Sequence, residues 1–234
     1  MAKGKRVAIT PCLNEEHAIA KVVRKLRPWV DLIIVVDDGS TDRTAEMAKK
    51  AGATVLRHKK NLGAGAAIRT GIQYALRKGY GICVVLGGDD QDDPHEIPRL
   101  IRKLDEGYDF VQGSRRLKGG RTVDMPLFRR ITTKGYSAFF SMLIGKRITD
   151  GTNGFRAFRT RICKDKRINL NQKWLNRYEL EPYLFYKAIQ LGYRVIEVPV
   201  TKRYPDGGYT KMEQLRDYWS ISRPLLFLRL GVRK

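Results

Sequence analysis

The chain has 234 residues, a length that accommodates one large α/β domain or two small ones. It carries 46 Lys and Arg against 24 Asp and Glu, a formal net charge of +22, so its surface is expected to attract phosphate groups. No apolar run approaches the roughly 18 residues of a spanning helix, which excludes a membrane span within this sequence. Three widely separated cysteines, without metal or disulfide spacing, favour a reducing compartment.

Apolar patterning predicts that strands and helices alternate along the first half of the chain. The predicted elements alternate in type, beginning with a strand, over residues 6–10, 14–26, 32–36, 42–50, 54–56, 64–77, 82–86 and 94–104. Asn14 is the expected cap of the first helix. This order predicts an α/β fold with a mostly parallel sheet and helices on both faces.

Beyond residue 109 the alternation loosens. The later elements are expected as a strand at 110–112, a basic loop, helices around 130–143 and at 179–191, a strand at 194–198 and a last amphipathic helix from 212. No segment has the composition of a linker between two domains. A single domain is therefore predicted over residues 1–211, followed by an amphipathic segment at 212–234.

Polar residues gather directly after three of the predicted strands. The segments are PCLNEE after the first strand, DDGSTD after the second and GGDDQDDP after the fourth. Parallel α/β sheets bind ligands beyond the carboxyl ends of their strands, so a site at this edge is expected. Acidic side chains there can hold a hard divalent cation together with phosphate oxygens, although Asp and Gly also form ordinary surface turns.

Two basic segments lie later in the chain. Residues 114–134 contain seven Lys and Arg against one acid, and residues 156–177 contain eight against one. Cations that face an acidic metal site suit a diphosphate, because metal and cations together neutralise its oxygens. A solvated surface is the alternative interpretation. Nucleic acid is not predicted as a partner, since zinc and RNP-type motifs are lacking and the acids would repel its phosphates.

The sequence also resembles a known family over nearly its whole length, from about Val7 to Lys211. The segments VVDDGSTD, NLGAGAAIRTGI, VVLGGDDQDDPHEI, GSR and GFRAF occur in the order found in family-2 inverting glycosyltransferases, which have the GT-A fold. The segment YELEPYLFYKAIQLGYRVIEVPV narrows the resemblance to the dolichyl-phosphate mannose or glucose synthase branch. This resemblance implies a Rossmann-like GT-A fold, a nucleotide-sugar donor and metal-dependent transfer that inverts the anomeric configuration.

The resemblance implies which residues bind the nucleotide donor. The ends of the first two strands would form the base and ribose pocket, where one of two paired acids accepts a hydrogen bond from the base. The Gly63–Gly65 pair at the start of the third helix would let the backbone approach the nucleotide. A later loop with two glycines would close over the diphosphate. The assigned donor residues are Pro11, Glu15, Asp37, Asp38, Gly65, Arg69, Arg203 and Lys211.

The acidic cluster after the fourth strand departs from the family pattern, which is Asp-x-Asp-x-Gln. Alignment on Gln91 places Asp89 on the second acid and Gly87 on the first. Asp89 and Gln91 are therefore expected to ligate Mn²⁺ or Mg²⁺, and the missing first acid puts the metal affinity in question. A second register, which uses the literal Asp-x-Asp of Asp90 and Asp92, stays open.

On the acceptor side, the resemblance directs Arg115 and Arg129 at the phosphate of a lipid acceptor. Such a phosphate is already ionised at neutral pH, so its attack on the sugar needs no general base. A sugar hydroxyl would need one within about 3 Å. The candidate bases are Asp150, Glu179 and Glu181.

The segment at 212–234 places Trp219 and several leucines among arginines. A basic amphipathic helix of this kind is typical of a membrane interface, where anionic lipids attract it. Packing of the same residues into the core is the alternative.

Together these features predict a metal-dependent inverting glycosyltransferase. It would move a hexose, with mannose from GDP-mannose favoured, to a polyprenyl or dolichyl phosphate or to a lipid-linked glycan. We expect it to work peripherally at the cytoplasmic face of an anionic membrane. Two alternatives stay open, namely a UDP-sugar transferase that acts on a sugar hydroxyl and a non-catalytic module that binds anionic polymers or membranes.

Overall fold

The computed structural model describes residues 4–204 and 215–232. Its strands are β1 (Arg6–Cys12), β2 (Leu32–Asp37), β3 (Thr54–Arg57), β4 (Ile82–Val85), β5 (Phe110–Ser114), β6 (Arg121–Val123), β7 (Arg156–Arg159), β8 (Val195–Pro199) and β9 (Thr201–Arg203). Its α-helices are α1 (Ile19–Leu26), α2 (Thr44–Lys50), α3 (Ala64–Arg77), α4 (Ile97–Asp105), α5 (Leu127–Ile144), α6 (Leu180–Gln190) and α7 (Leu215–Arg229).

Seven strands form the central sheet in the order β3-β2-β1-β4-β7-β5-β8. The pairs among β1 to β4 are parallel, and so is the pair of β5 with β8, which confirms the predicted mostly parallel sheet. Strand β7 was not predicted, and it runs antiparallel between β4 and β5. The strands β6 and β9 form a separate parallel pair. The sequence predicted a basic loop in the region of β6, and the resemblance implied that the loop over the diphosphate begins in the region of β9.

Helices cover both faces of the sheet, because alternate residues of each buried strand point to opposite sides. Val7 and Ile9 of β1 belong to a core shared with α3, α5, α6 and α7. Ala8, between them, belongs to a second core shared with α1, α2 and α4. The prediction of one α/β domain with helices on both faces is therefore confirmed.

The prediction that Asn14 caps the first helix is wrong. Helix α1 begins five residues later, at Ile19, and its cap position is Ala18. Asn14 has a φ of 53°, a left-handed conformation that asparagine tolerates. Its Oδ1 accepts a hydrogen bond from the backbone N–H of Thr41 at 3.0 Å, so it joins the loops after β1 and β2.

Helix α7 packs onto the domain through its apolar side. Ile221, Leu225 and Leu228 are buried in the core shared with α3, α5 and α6. The Ser220 hydroxyl donates to the carboxylate of Glu179, which also pairs with Arg223. One side of the predicted interface segment is thus core, whereas Trp219, Leu230 and Val232 are 51, 71 and 61% exposed, so the membrane interface stays a prediction. Among the residues that the structure describes, no helix combines the length and apolar content needed to cross a membrane.

Candidate active site

The polar segments after β1, β2 and β4 meet at one edge of the sheet, as their positions predicted. Cys12 and Asp37, the last residues of β1 and β2, are register partners, and the Asp38 N–H donates to the Cys12 carbonyl at 2.8 Å. Backbone N–H groups of the first loop donate to side chains of the second, as Glu15 does to the Thr44 hydroxyl at 2.7 Å. The segments after β1 and β2 are therefore joined by hydrogen bonds at the carboxyl edge.

The two acids at the end of β2 have different surroundings. Asp38 is saturated, because its oxygens accept from His58 Nδ1 at 2.6 Å and from the N–H groups of Leu62 and Gly63 at 3.0 and 2.7 Å. Asp37 is fully buried, and its Oδ2 lies 3.0 Å from Arg57 Nε but makes no hydrogen bond within the described part of the chain. Of the two, Asp37 is therefore the one with a carboxylate oxygen that makes no hydrogen bond in the described part of the chain, and that oxygen is buried beside Arg57.

Gly65, in the first turn of α3, serves the packing of the chain itself. The Gly65 N–H donates to the Arg177 carbonyl at 2.6 Å, and a Cβ on Gly65 would collide with the backbone at Leu175. Arg69, one turn further on, donates to the Asn176 side chain at 2.7 Å and to the Leu170 carbonyl. The close backbone approach predicted for Gly65 is thus made by residues 175–177, and Arg69 holds the same segment.

The other donor residues lie on either side of this edge. Pro11 is a half-buried residue of β1, paired in register with Val36. Arg203 ends β9, with an exposed side chain, and its N–H donates to the Gln91 carbonyl at 2.8 Å. Lys211 lies outside the described residues.

Three of the four acids in the cluster after β4 already have protein partners. Asp90 pairs with Lys21 and Lys25 of α1 at 2.7 and 2.6 Å. Asp92 pairs with a lysine of β9, discussed below, and Asp93 caps the short 3₁₀ turn through the N–H of His95. Asp89 makes no ion pair with any described residue, and its Oδ1 accepts only the Gln91 N–H at 3.2 Å. This distribution favours the register that uses Asp89 over the literal Asp-x-Asp.

The residues at this cluster fit a divalent ion that is shared with a phosphate ligand. The Asp89 carboxylate and the Gln91 side-chain amide supply oxygen donors, the type that Mg²⁺ and Mn²⁺ accept. A Cβ built on Gly87 would lie 2.9 Å from Asp89 Oδ1, so an acid at position 87 would have joined the same spot. Across the described ranges, no group of three or more His, Cys, Asp or Glu forms a complete metal site. A metal here would take its remaining ligands from water and the diphosphate.

Arg115 and Asp150, predicted as an acceptor cation and a base, instead form a buried ion pair. Arg115 Nε and Nη2 donate to the two Asp150 oxygens at 2.6 and 2.7 Å, and its Nη1 donates to the Tyr204 hydroxyl at 2.6 Å. Asp150 is fully buried; burial raises its pKa, but Arg115 outweighs this and holds the pKa below its ordinary value. A saturated carboxylate of this kind does not suit a general base, so both residues are better assigned to positioning.

Arg129, by contrast, has unused donors. Its Nε and Nη1 are buried yet make no hydrogen bond among the described residues. Its guanidinium lies 5.3 Å from the ring centre of Tyr204, whose hydroxyl binds Arg115. Tyr204 therefore brings together the two arginines that the resemblance directed at one phosphate. The Thr133 hydroxyl is engaged, since it accepts from Arg116 at 2.6 Å and donates to the Arg129 carbonyl.

The other two candidate bases differ in their access to a ligand. Glu179 is fully buried and bound to Ser220 and Arg223 of α7, so it anchors a helix. Glu181 keeps about one fifth of its side chain exposed and pairs with Arg156 at 3.0 Å. The pKa of Glu181 lies above its ordinary value, because burial raises it by more than the positive charge of Arg156 lowers it.

Sequence reasoning missed Tyr204, His58 and Lys202, although each contacts a predicted site residue. Their roles depend on partners far away in the chain, and no local motif marks them. The one feature of the sequence that pointed to any of them was the run of basic and aromatic residues around Tyr204.

These features define an α/β protein with a candidate ligand site at the carboxyl edge of its sheet, acidic on one side and basic on the other. The family model for glycosyl transferase family 2 matches residues 7–166, more than half of the chain. The chain therefore belongs to this family and is a glycosyltransferase.

Several known proteins are similar over most of this chain. The polyprenol monophosphomannose synthase of Mycolicibacterium smegmatis is 32% identical over 88% of this chain and 80% of its own length. The dolichyl-phosphate hexose transferase of Haloferax volcanii is 31% identical over 94% of this chain and 92% of its own length. Among solved structures, Mycobacterium tuberculosis glucosyl-3-phosphoglycerate synthase in complex with Mn²⁺, UDP and glucosyl-3-phosphoglycerate matches with a TM-score of 0.71. The two chains share 20% identity, and the match covers 99% of this chain and 81% of the synthase chain, which establishes the common GT-A fold.

Proposed function

We propose that this glycosyltransferase moves a hexose, with mannose from GDP-mannose favoured, to the phosphate of a polyprenyl or dolichyl lipid. The names of two relatives support this acceptor class, since one is a polyprenol monophosphomannose synthase and the other a dolichyl-phosphate hexose transferase. The observation that carries the proposal is that Arg129 Nε and Nη1, at the basic side of the site, are buried and make no hydrogen bond among the described residues.

Buried N–H groups without acceptors are unfavourable, so the site of Arg129 is suited to an anion that supplies those acceptors. A phosphate matches the planar fork of a guanidinium with two parallel hydrogen bonds. Arg115 donates to the Tyr204 hydroxyl, and its pairing with Asp150 fixes the position of both residues beside Arg129. The pair therefore supports a role in orienting a phosphate acceptor.

The remaining residues have separate tasks in the proposed reaction. Asp37 Oδ2, which is ion-paired with Arg57 but makes no hydrogen bond among the described residues, accepts a hydrogen bond from the nucleotide base. A divalent ion, held by Asp89 and Gln91, would stabilise the charge of the departing diphosphate. Arg129 holds the acceptor phosphate, whose ionised oxygen attacks the anomeric carbon from the opposite face, so the configuration inverts. No proton has to be removed from this acceptor.

A hydroxyl acceptor is the second candidate, and Glu181 is the observation that favours it. About one fifth of its side chain is exposed, and its raised pKa brings it nearer to the range of an effective general base. A UDP-sugar could serve as donor in that case, as the sequence also allowed.

The proposed function is tested by a screen of GDP-mannose, UDP-glucose and UDP-N-acetylglucosamine against a short polyprenyl phosphate and a sugar hydroxyl acceptor. We expect GDP-mannose and polyprenyl phosphate to react. Arg129→Ala should raise the KM for the lipid phosphate by about tenfold or more, because it removes a charge-assisted bond of roughly 1.5–3 kcal/mol. Hydrolysis of the donor alone should stay near the level of the unsubstituted chain.

The matched control is Arg130→Ala, since Arg130 is the exposed neighbour on the same helix. A loss of donor affinity at an unchanged acceptor KM in Arg129→Ala would show that this arginine serves the donor instead. Transfer only to the sugar hydroxyl, abolished by Glu181→Gln, would favour the second candidate.

We further propose that the first turns of α5 face an anionic membrane. Leu127, Phe128 and Ile131 are 69, 65 and 62% exposed, and they alternate with the basic residues around Arg129. Exposed apolar side chains among cations are typical of interfacial binding. A lipid phosphate acceptor would then enter beside Arg129, on the cytoplasmic face if the donor is a cytoplasmic nucleotide sugar.

Replacement of both Leu127 and Ile131 by Gln should weaken co-sedimentation with anionic liposomes by tenfold or more, since each buried side chain contributes roughly 1.5–3 kcal/mol. Binding should also fall at high salt. Met142→Gln is the matched control, because Met142 is 70% exposed at the far end of the same helix. Equal weakening by both changes would mean that the whole helix binds lipid, and no weakening by the double change would place the surface elsewhere.

A further inference from the structure

A lysine of β9 reaches into the acidic side of the site. Lys202 Nζ lies 3.2 Å from both carboxylate oxygens of Asp92. The two side chains are 12% and 1% exposed, so this ion pair is largely removed from water. Buried charges of this kind interact more strongly than surface pairs.

The backbone holds this lysine in place. Asp92 and Lys202 form an isolated antiparallel bridge, and the next residue of β9, Arg203, donates its N–H to the Gln91 carbonyl. Thr201, the preceding residue, donates its N–H to Glu96 at 2.8 Å. Strand β9 is therefore fastened to the acidic cluster on both sides of Lys202, and the ammonium group has little freedom to move away.

Lys202 also lies beside the proposed metal ligands. Its partner Asp92 directly follows Gln91, and the residue after Lys202 donates its N–H to the Gln91 carbonyl at 2.8 Å. In agreement with this placement, burial lowers the pKa of Lys202, but the carboxylates of Asp92 and Asp89 outweigh burial and hold the pKa above its ordinary value. At the position where a further acid would lie beside Asp89, this chain has Gly87, so the cluster has one negative charge fewer to offset the lysine.

We propose that the Lys202 ammonium, held by Asp92, is a resident counter-ion of the acidic site that opposes the binding of a divalent cation at Asp89 and Gln91. The inference rests on the proposed role of Asp89 as a metal ligand. A divalent ion beside Asp89 would meet the positive charge of Lys202, and no acid at position 87 relieves that repulsion. The free chain therefore binds metal weakly, and the negative charge of the donor diphosphate is needed for firm binding.

The test is a titration of the full chain with Mn²⁺ in the absence of any nucleotide, with free Mn²⁺ followed by electron paramagnetic resonance. Lys202→Met removes the charge at similar volume and should tighten Mn²⁺ binding by about tenfold. Lys202→Arg keeps the charge and should leave the affinity near that of the unsubstituted chain. Lys25→Met is the matched control, because Lys25 pairs with Asp90 of the same cluster, and it should change the affinity little.

A gain in Lys202→Met no larger than in Lys25→Met would overturn the proposal, as would the absence of Mn²⁺ binding by every variant at millimolar metal. If Lys202→Met does not fold, because Asp92 is left buried without a partner, Asp92→Asn and the double variant Asp92→Asn/Lys202→Met replace it. The double variant should then bind Mn²⁺ about tenfold more tightly than Asp92→Asn alone, and equal affinities would refute the idea. Since no sugar donor is present, this outcome is independent of whether the chain transfers mannose.

Discussion

Asp89→Ala is expected to lower metal-dependent sugar transfer by about 10²-fold or more, which is the order of loss when one electrostatic contact to a developing charge is removed. Asp89 is the acid of the cluster that lacks a cation partner among the described residues, whereas Asp90 and Asp92 are paired with lysines. Removing it would leave the Gln91 amide as the only proposed protein ligand of the metal. The measurement is kcat/KM for donor consumption at increasing Mn²⁺.

Asp93→Ala is the matched control for that change. Asp93 is in the same cluster, but its carboxylate is 40% exposed and accepts from the N–H of His95 at the start of a 3₁₀ turn. Its removal should cost about 1 kcal/mol of stability as a lost cap and leave transfer largely intact. Equal losses of transfer in the two variants would show that total negative charge matters and that the Asp89 register is wrong.

Asp150→Ala is expected to destabilise the fold by about 3–5 kcal/mol, because it leaves the Arg115 guanidinium buried without its counter-ion. Both partners are almost fully buried, at 0 and 6% exposure, and three hydrogen bonds join Asp150 to Arg115. The loss should appear as a lower midpoint of urea unfolding with an unchanged slope. Arg115→Met should be similarly costly, and the double variant should cost less than the sum of the two.

Glu46→Gln is the control for the Asp150 prediction. Glu46 forms an i,i+4 pair with Lys50 on the surface of α2, and both side chains are about half exposed or more. Its loss should change the free energy of unfolding by no more than about 0.5 kcal/mol. A cost below about 1 kcal/mol for Asp150→Ala would mean that the pair is hydrated, and Asp150 would again be a candidate base.

The buried pair also predicts how stability depends on pH. The pKa of Asp150 in the folded state lies below its value in the unfolded chain. Its contribution is therefore complete above the unfolded pKa and is lost as the pH falls through the lower folded value. In Asp150→Ala, the free energy of unfolding measured by urea denaturation should therefore fall less steeply as the pH is lowered through the acidic range.

Much of the fold followed from patterns of neighbouring residues. The alternation of strands and helices from β1 to α4 was predicted by runs of apolar residues and by apolar residues at helical spacing, and both patterns involve residues only a few positions apart. The three polar segments at the ends of β1, β2 and β4 also met as predicted, because parallel strands bring their carboxyl ends to one edge. The Asp89 register remains a prediction, favoured by the pairing of its neighbours.

Only the tertiary structure decided which charges neutralise one another. Arg115 was predicted as a free cation, but its partner Asp150 is 35 residues away, and Lys202 reaches Asp92 across 110 residues. Likewise, the sequence of α7 is compatible with leucines that face lipid and with leucines that pack into the core. In the structure, Leu225 and Leu228 are in the core, and Arg223 of the same helix pairs with Glu179. Periodicity shows that a helix has an apolar side, but what covers that side depends on the packing of elements that are distant in the chain.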